Sequence, residues 1–379
     1  MKTSLALAGL LALVVGCSAG ETASASDDGP QVSDLTSAIE VRPYAIVGTG
    51  HRGNGPEDID APDGIAFDAQ GSMLLTDAAN HRVQIWSVVG TPKKLGEVQA
   101  PAGGEVVDLA VSPVDGKMIV TDEDTHLAYA YDPPKKNADG KVENPAGYTL
   151  KTADMFSTEV VKKVGGITFD SQGRIYTVDA HQNLVRRYKG DGTPDPTFKF
   201  AENGGVSHLN GCEGIAVDEK RGNLYVSSEF TSSIQVFDLE TGAPKNKIIG
   251  RKNDAAHPGT PTGKSVFSAA VEGLWILDDY LLASDEADGG EGHLFIFDLA
   301  SDSIFDHDAD DWAQMKAAGK KPAFIGGLGS FLSPDSVAAW TDKATGESYV
   351  AVADQGHYQV AMYKWSEITR AGKFGRQQP

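Results

Sequence analysis

The chain holds two cysteines in 379 residues. One of them, Cys17, closes a leader-like segment, so no intrachain disulfide can brace the remainder and the fold must stand on its apolar core. Long apolar runs are also missing. The one candidate, Leu5 to Val15, is too short to span a bilayer. Positive charge is scarce: the formal net charge is −20, which opposes nucleic acid and anionic lipid head groups through the general field. The expected partners are therefore cations, and a negatively charged substrate needs a local basic patch or a bridging metal. No histidine pair has the fixed helical spacing of a zinc motif. Ser227, Ser228, Ser284 and Ser336 stand in no nucleophile-elbow context, which argues against a serine hydrolase.

What is present begins with a secretory layout over residues 1–17, one early lysine followed by the apolar run and Gly16-Cys17. Val14-Val15-Gly16-Cys17 fits a bacterial lipobox, in which the cysteine is lipidated and becomes the new N-terminus. Ser18 follows it in place of an inner-membrane-retaining aspartate, so the expected address is the cell envelope, at the outer membrane of a Gram-negative cell. Residues 18–41 are rich in Ser, Ala, Gly, Asp and Thr, without an aromatic, and read as a flexible tether. Residues 42–379 read as one domain.

That domain is built on a repeat. Six units share a short apolar strand, a turn, a second strand ending near an acid, a polar turn and a third strand. They begin at Asp63, Val107, Gly165, Glu213, Glu272 and Asp335, at intervals of about 50 residues. Short strands at this period predict an all-β fold, a six-bladed β-propeller with four-stranded blades. The last unit has no room for a fourth strand after Tyr363, and Tyr44-Ala45-Ile46-Val47 precedes the first unit unpaired. The N-terminal strand is expected to close the last blade and remove both open edges. Connections at 133–160, 245–270 and 303–333 are decorations, and 310–318 reads as a short helix stopped by Gly319.

In such a blade the inner strand starts, and the second strand ends, on the same face. The first position is acidic at Asp63, Glu213, Glu272 and Asp335. The second holds Asp77, Asp122, Asp179, Glu229, Glu286 with Asp285 beside it, and Asp354. Converging carboxylates repel, and burying them uncompensated is costly, so a divalent cation is expected, with calcium the natural choice for oxygen donors. The candidate metal ligands are Asp63, Asp77, Glu213, Glu229, Glu272, Glu286, Asp335 and Asp354. An Asp at a strand end also serves as a turn cap, and Asp122 and Asp179 are read that way first. His81, His126, His181, His293 and His357 read mostly as solvated hairpin residues. Cys212 reads as a small buried residue. Lys162 and Lys163, just before an inner strand, are the candidate substrate-binding cations.

The first unit, YAIVGTGHRGNG ahead of APDGIAFDAQGSMLLTDAANHRVQIW, resembles an NHL repeat, a blade used mostly in binding proteins. CEGIAVDEKRGNLYVSSE, VEGLWILDDYLLASDE and SPDSVAAW, with YVAVADQGH and YKWSEI, resemble in order the second half of the β-propeller phytases, calcium-dependent enzymes that hydrolyse phosphomonoesters of inositol hexakisphosphate. The resemblance covers residues 160–370. It implies that Glu213, Glu229, Glu272 and Asp335 hold calcium or metal-bound water, with Glu213, Glu272 and Asp335 catalytic, and it puts Glu286 where the family commonly has an amide. Ala78 and Ala79 stand where the family has lysine, Gly165 where it has a pocket tyrosine, and Asp122 and Glu123 where an arginine is usual. The resemblance thus implies a calcium-dependent phosphoester hydrolase, with a changed or less charged ester as substrate. The alternative is a non-catalytic NHL-type propeller that binds a protein or glycan. A propeller lactonase with one axial metal is a third reading. Two basic side chains converging on the acidic mouth would favour the phosphoester.

Overall fold

The second strand of each unit shows no alternation of apolar and polar residues, because both of its faces are covered by neighbouring blades. Every residue of Ser72–Asp77, Met118–Asp122, Ile175–Asp179, Asn223–Ser228 and Ser348–Asp354 is buried. In a two-sided burial of this kind the apolar run is continuous. The computed structural model describes residues 39–101, 104–156, 163–200, 208–286, 292–319 and 324–374. The leader, Cys17, most of the tether, Lys162 and Lys320-Lys321 lie outside the described residues. Ile39 is 4% exposed and packs with Trp365 and Ile368, so the core begins two residues inside the segment read as tether.

Six sheets form a six-bladed β-propeller, and six apolar clusters fill the six interfaces between neighbouring blades. Ala45–Val47 pairs antiparallel with Gln359–Lys364 and closes the last blade, as the sequence predicts. The third blade differs. Among the described residues it has three strands, and only an isolated bridge between Tyr188 and Pro194 continues it. Pro194 has no amide hydrogen to extend a ladder. The expected helix is present at Ala309–Ala317, capped by the Asp308 carboxylate on the Asp311 amide, and the chain turns at Gly319 with φ +68°. A second helix, Trp365–Gly372, which the sequence reading did not anticipate, follows the last strand and buries Trp365 and Ile368. No helix among the described residues is long and apolar enough to cross a membrane.

The pairing places the two mouth positions side by side. In five blades the start of the inner strand faces the end of its second strand, at Pro62 and Asp77, Val106 and Asp122, Val164 and Asp179, Ala270 and Glu286, and Pro334 and Asp354; in the fourth the ladder begins at Ile215 and Val226. The ladder is irregular just beyond each of these pairs. Near the start of the inner strand a glycine approaches the next blade in several of the units. A Cβ on Gly214 would meet the Glu272 carbonyl oxygen at 2.0 Å, and one on Gly166 the Glu213 carbonyl oxygen at 2.3 Å. These glycines admit the neighbouring backbone, not a ligand. Strand-end hydroxyls tie the same ring together: Thr76 donates to the Val107 carbonyl at 2.9 Å and Ser284 to the Asp335 carbonyl at 2.8 Å.

Candidate metal centre

A funnel with a cavity volume of about 250 Å³ opens on this face. Asp63, Glu213, Glu272 and Asp335 line it from the starts of four inner strands. Glu123, Glu229 and Glu286 line it from the residue after, or at the end of, three second strands, and Gln355 occupies the same place in the sixth blade. Asp108 completes the set of eight carboxylates. The expected site residues Asp63, Glu213, Glu229, Glu272, Glu286 and Asp335 are therefore brought together, with Lys163 among them.

Asp77 and Asp354 are not in this lining, and the structure spends their oxygens elsewhere. Asp77, fully buried, receives Arg82 Nε at 2.7 Å, Gln84 Nε2 at 2.8 Å and the Asp60 amide at 2.7 Å. Asp354 takes the Leu332 and Ser333 amides at 3.0 and 3.1 Å and His357 Nδ1 at 2.5 Å. Asp122 and Asp179 accept the Thr125 and Gln182 amides, which is the turn-cap role expected of them. Asp285 does the same for Ser268. The strand-end residue thus pins a loop, and its successor faces the axis.

Sequence reasoning did not select Glu123 or Asp108. Aligning Asp122-Glu123 with Ser228-Glu229 and Asp285-Glu286 carries the signal for the first. Asp108 stands at the glycine position of the second blade, where its carboxylate accepts the Leu109 and Ile167 amides at 2.8 Å each. His81, His126, His181 and His357 are exposed, and His293 is half-buried within a strand. Cys212 is fully buried, its thiol donates to the Asp179 carbonyl, and burial pushes its pKa up to about 12. It is not a nucleophile at neutral pH.

The electrostatics follow from burial and like charge. Desolvation, then Asp335 and Asp108, hold the Asp63 carboxyl well above its ordinary range. Desolvation, then Glu213 and Asp335, do the same to Glu272. For Asp335 the causes are desolvation and Glu286, partly offset by Ser333. Glu213 is raised to about 7 by desolvation, with Lys163 opposing the shift. Lys163 Nζ lies 2.9 Å from Glu123 Oε1 and 3.4 Å from Glu213 Oε1. It is the one basic side chain in the lining among the described residues. Protonation or a cation relieves such a site.

The donor set fits a hard cation. All the side chains of the lining that can bind metal offer oxygen, and no histidine or cysteine is among them. Among the described residues, no group of three or more acidic, histidine or cysteine side chains is placed closely enough to hold a metal ion as it stands.

No known family matches the chain, and no curated protein does. Solved structures do. The PQQ-bound form of an aldose sugar dehydrogenase from Streptomyces coelicolor is similar at 15% identity with a TM-score of 0.51, over 85% of this chain and 98% of that one. A protein described only provisionally as a gluconolactonase is similar at 12% identity and 0.52, over 87% and 97%. A Bacteroides thetaiotaomicron protein of unknown function is similar at 14% and 0.51, over 84% and 73%. At these identities the likeness establishes the propeller fold and does not single out the phytase-like family.

Proposed function

We propose that the protein is a calcium-dependent hydrolase acting on an ester that carries little negative charge near the scissile bond. The observation that carries the reading is the oxygen-only funnel, in which four inner strands and three second strands aim carboxylates at one axis. Glu272, Asp335, Glu229 and Glu286 would hold the ion. When bound, calcium supplies Lewis acidity at the ester oxygen and acidifies water. Glu213 takes a proton from the attacking water at Oε2, the oxygen that Lys163 does not engage.

The phosphomonoester branch of the resemblance is the less supported. A phosphoryl group needs several cationic partners as charge develops, and Lys163 is already shared by two carboxylates. Quinone-dependent dehydrogenation, by analogy with the Streptomyces coelicolor structure, is not proposed either. That quinone is a tricarboxylate, and the funnel would set eight carboxylates against it. A sugar lactone or another neutral ester suits the charge better. The N-terminal pattern supports action at the cell envelope, tethered by lipid on Cys17.

The test compares a sugar lactone, p-nitrophenyl acetate and p-nitrophenyl phosphate as substrates of the full chain, in calcium and in chelator. The expected result is calcium-dependent turnover of a neutral ester, abolished by Glu272→Gln. Faster release of phosphate than of neutral products would overturn the substrate assignment. The second reading, a non-catalytic binding propeller, is favoured by one feature of the rim: Phe230, beside Glu229, is 67% exposed, and Leu332, beside Ser333, is 44% exposed. Calcium binding without turnover of any ester would select it.

A further inference from the structure

We propose that Lys163 is a built-in cation that fills one of two cation positions in the funnel, so that the native chain binds a single divalent ion and removal of the ammonium opens a second position. The first position, on the fourth to sixth blades, rests on the function proposed above. The second does not.

The funnel acids divide by what faces them. Among the described residues no basic side chain of the lining makes an ion pair with Glu229, Glu272, Glu286 or Asp335: Lys163 acts on Glu229 only through its field, and the Ser333 hydroxyl donates to Glu286 at 2.5 Å and to Asp335 at 3.4 Å. Glu123 and Glu213 instead have the Lys163 ammonium between them, at 2.9 and 3.4 Å. The reason lies in the third blade. It gives no acid to the lining: Gly165 stands at the first mouth position, Asp179 at the second caps a turn, and Ala180 follows it. Lys163 directly precedes its inner strand, Val164–Phe169, and its carbonyl is fixed by the Ala180 amide at 3.1 Å. From there its side chain reaches sideways to acids of the blades on either side. Gly165 leaves room for this: a Cβ there would meet Glu213 Oε2 at 2.9 Å.

The ammonium therefore occupies the spot that a pair of carboxylates offers to a hard cation, and the chain itself reports that the spot takes one. Being tethered, it competes at a high effective concentration with any free ion. Without it, two half-buried like charges face each other, and a divalent ion with water is the partner that neutralises both.

The experiment is calorimetric titration of calcium into the chelator-stripped full chain and into Lys163→Met, which keeps the stem and removes the charge. Lys163→Gln, able to hydrogen-bond both carboxylates, is the second variant should the first fold poorly. One ion in the native chain and two in either variant is the expected result. Lys163→Arg should stay at one, and Lys163→Met combined with Glu123→Gln should return to one. One ion in native and variants alike, or two in the native chain, overturns the inference and leaves the proposed cation site intact. No ion in the native chain and one in Lys163→Met supports the inference and refutes the site on the fourth to sixth blades. No ion in either refutes both.

Discussion

Replacing Glu213 by glutamine tests the electrostatic account of the funnel most directly, because the substitution keeps the shape and deletes one charge. Burial raises the Glu213 carboxyl to about 7 in the folded chain, against 4.5 for a glutamate in water. A carboxyl raised on folding binds its proton more tightly in the native state, so its contribution to stability is complete below 4.5 and drains away as pH rises through 7. At about 1.4 kcal/mol per unit, the ionised side chain costs the metal-free protein about 3 kcal/mol by pH 7. Chelator-treated Glu213→Gln should therefore be more stable than the native chain by that amount at pH 7 to 8. For a chain of this size this is about 4 °C in melting temperature. The difference should vanish at pH 4. Calcium should narrow the difference, since an ion on the neighbouring acids offsets part of the like charge that acts on the ionised Glu213 carboxylate. Thermal melts of both proteins from pH 4 to 8, in chelator and in calcium, read all of this. A variant less stable at every pH would show that Glu213 serves mainly as the structural partner of Lys163, and the repulsion argument would fail.

Asp77→Ala should cost about 3–5 kcal/mol, because it removes the buried ion pair to Arg82 Nε and leaves Gln84 Nε2 and the Asp60 amide without this acceptor, while calcium stoichiometry measured on the folded fraction stays unchanged. Gly214→Ala drives a methyl into the Glu272 carbonyl and should destabilise by about 1–3 kcal/mol or more by denaturant unfolding; a neutral result would mean that the blades slide apart more easily than their packing implies. Phe230→Ser should leave both stability, within about 0.5 kcal/mol, and calcium affinity unaltered, because the ring stands in solvent. Loss of calcium binding in that variant would show that the rim shapes the site.

The extent to which the site was legible in the sequence differs from residue to residue. The Glu-Gly pairs at 213 and 272 are readable, since a glutamate beside a glycine at the start of an inner strand has no local turn to cap. Asp77 and Asp354 share a sequence position with Asp122 and Asp179, and all four turned out to pin loops. Whether a strand-end acid or its successor faces the axis depends on where each second strand ends relative to the axis, which no local pattern reports. Asp108 is not marked by the repeat, because it stands where four other blades have a glycine for close approach and the sixth has Ser336.

The sequence by itself determined the propeller, its six units and its closure by the N-terminal strand, because apolar runs, turn residues and their period are local properties repeated six times. It also determined the sign of the site, since acids recur at fixed places in the repeat. Only the tertiary structure decided which carboxylates share one cavity, that blade three answers them with an ammonium, and that a single basic side chain of the described residues stands among eight acids. Those facts depend on how six sheets stack around an axis, where residues about 50 positions apart come within hydrogen-bond distance, and repulsion or neutralisation acts through space and not along the chain.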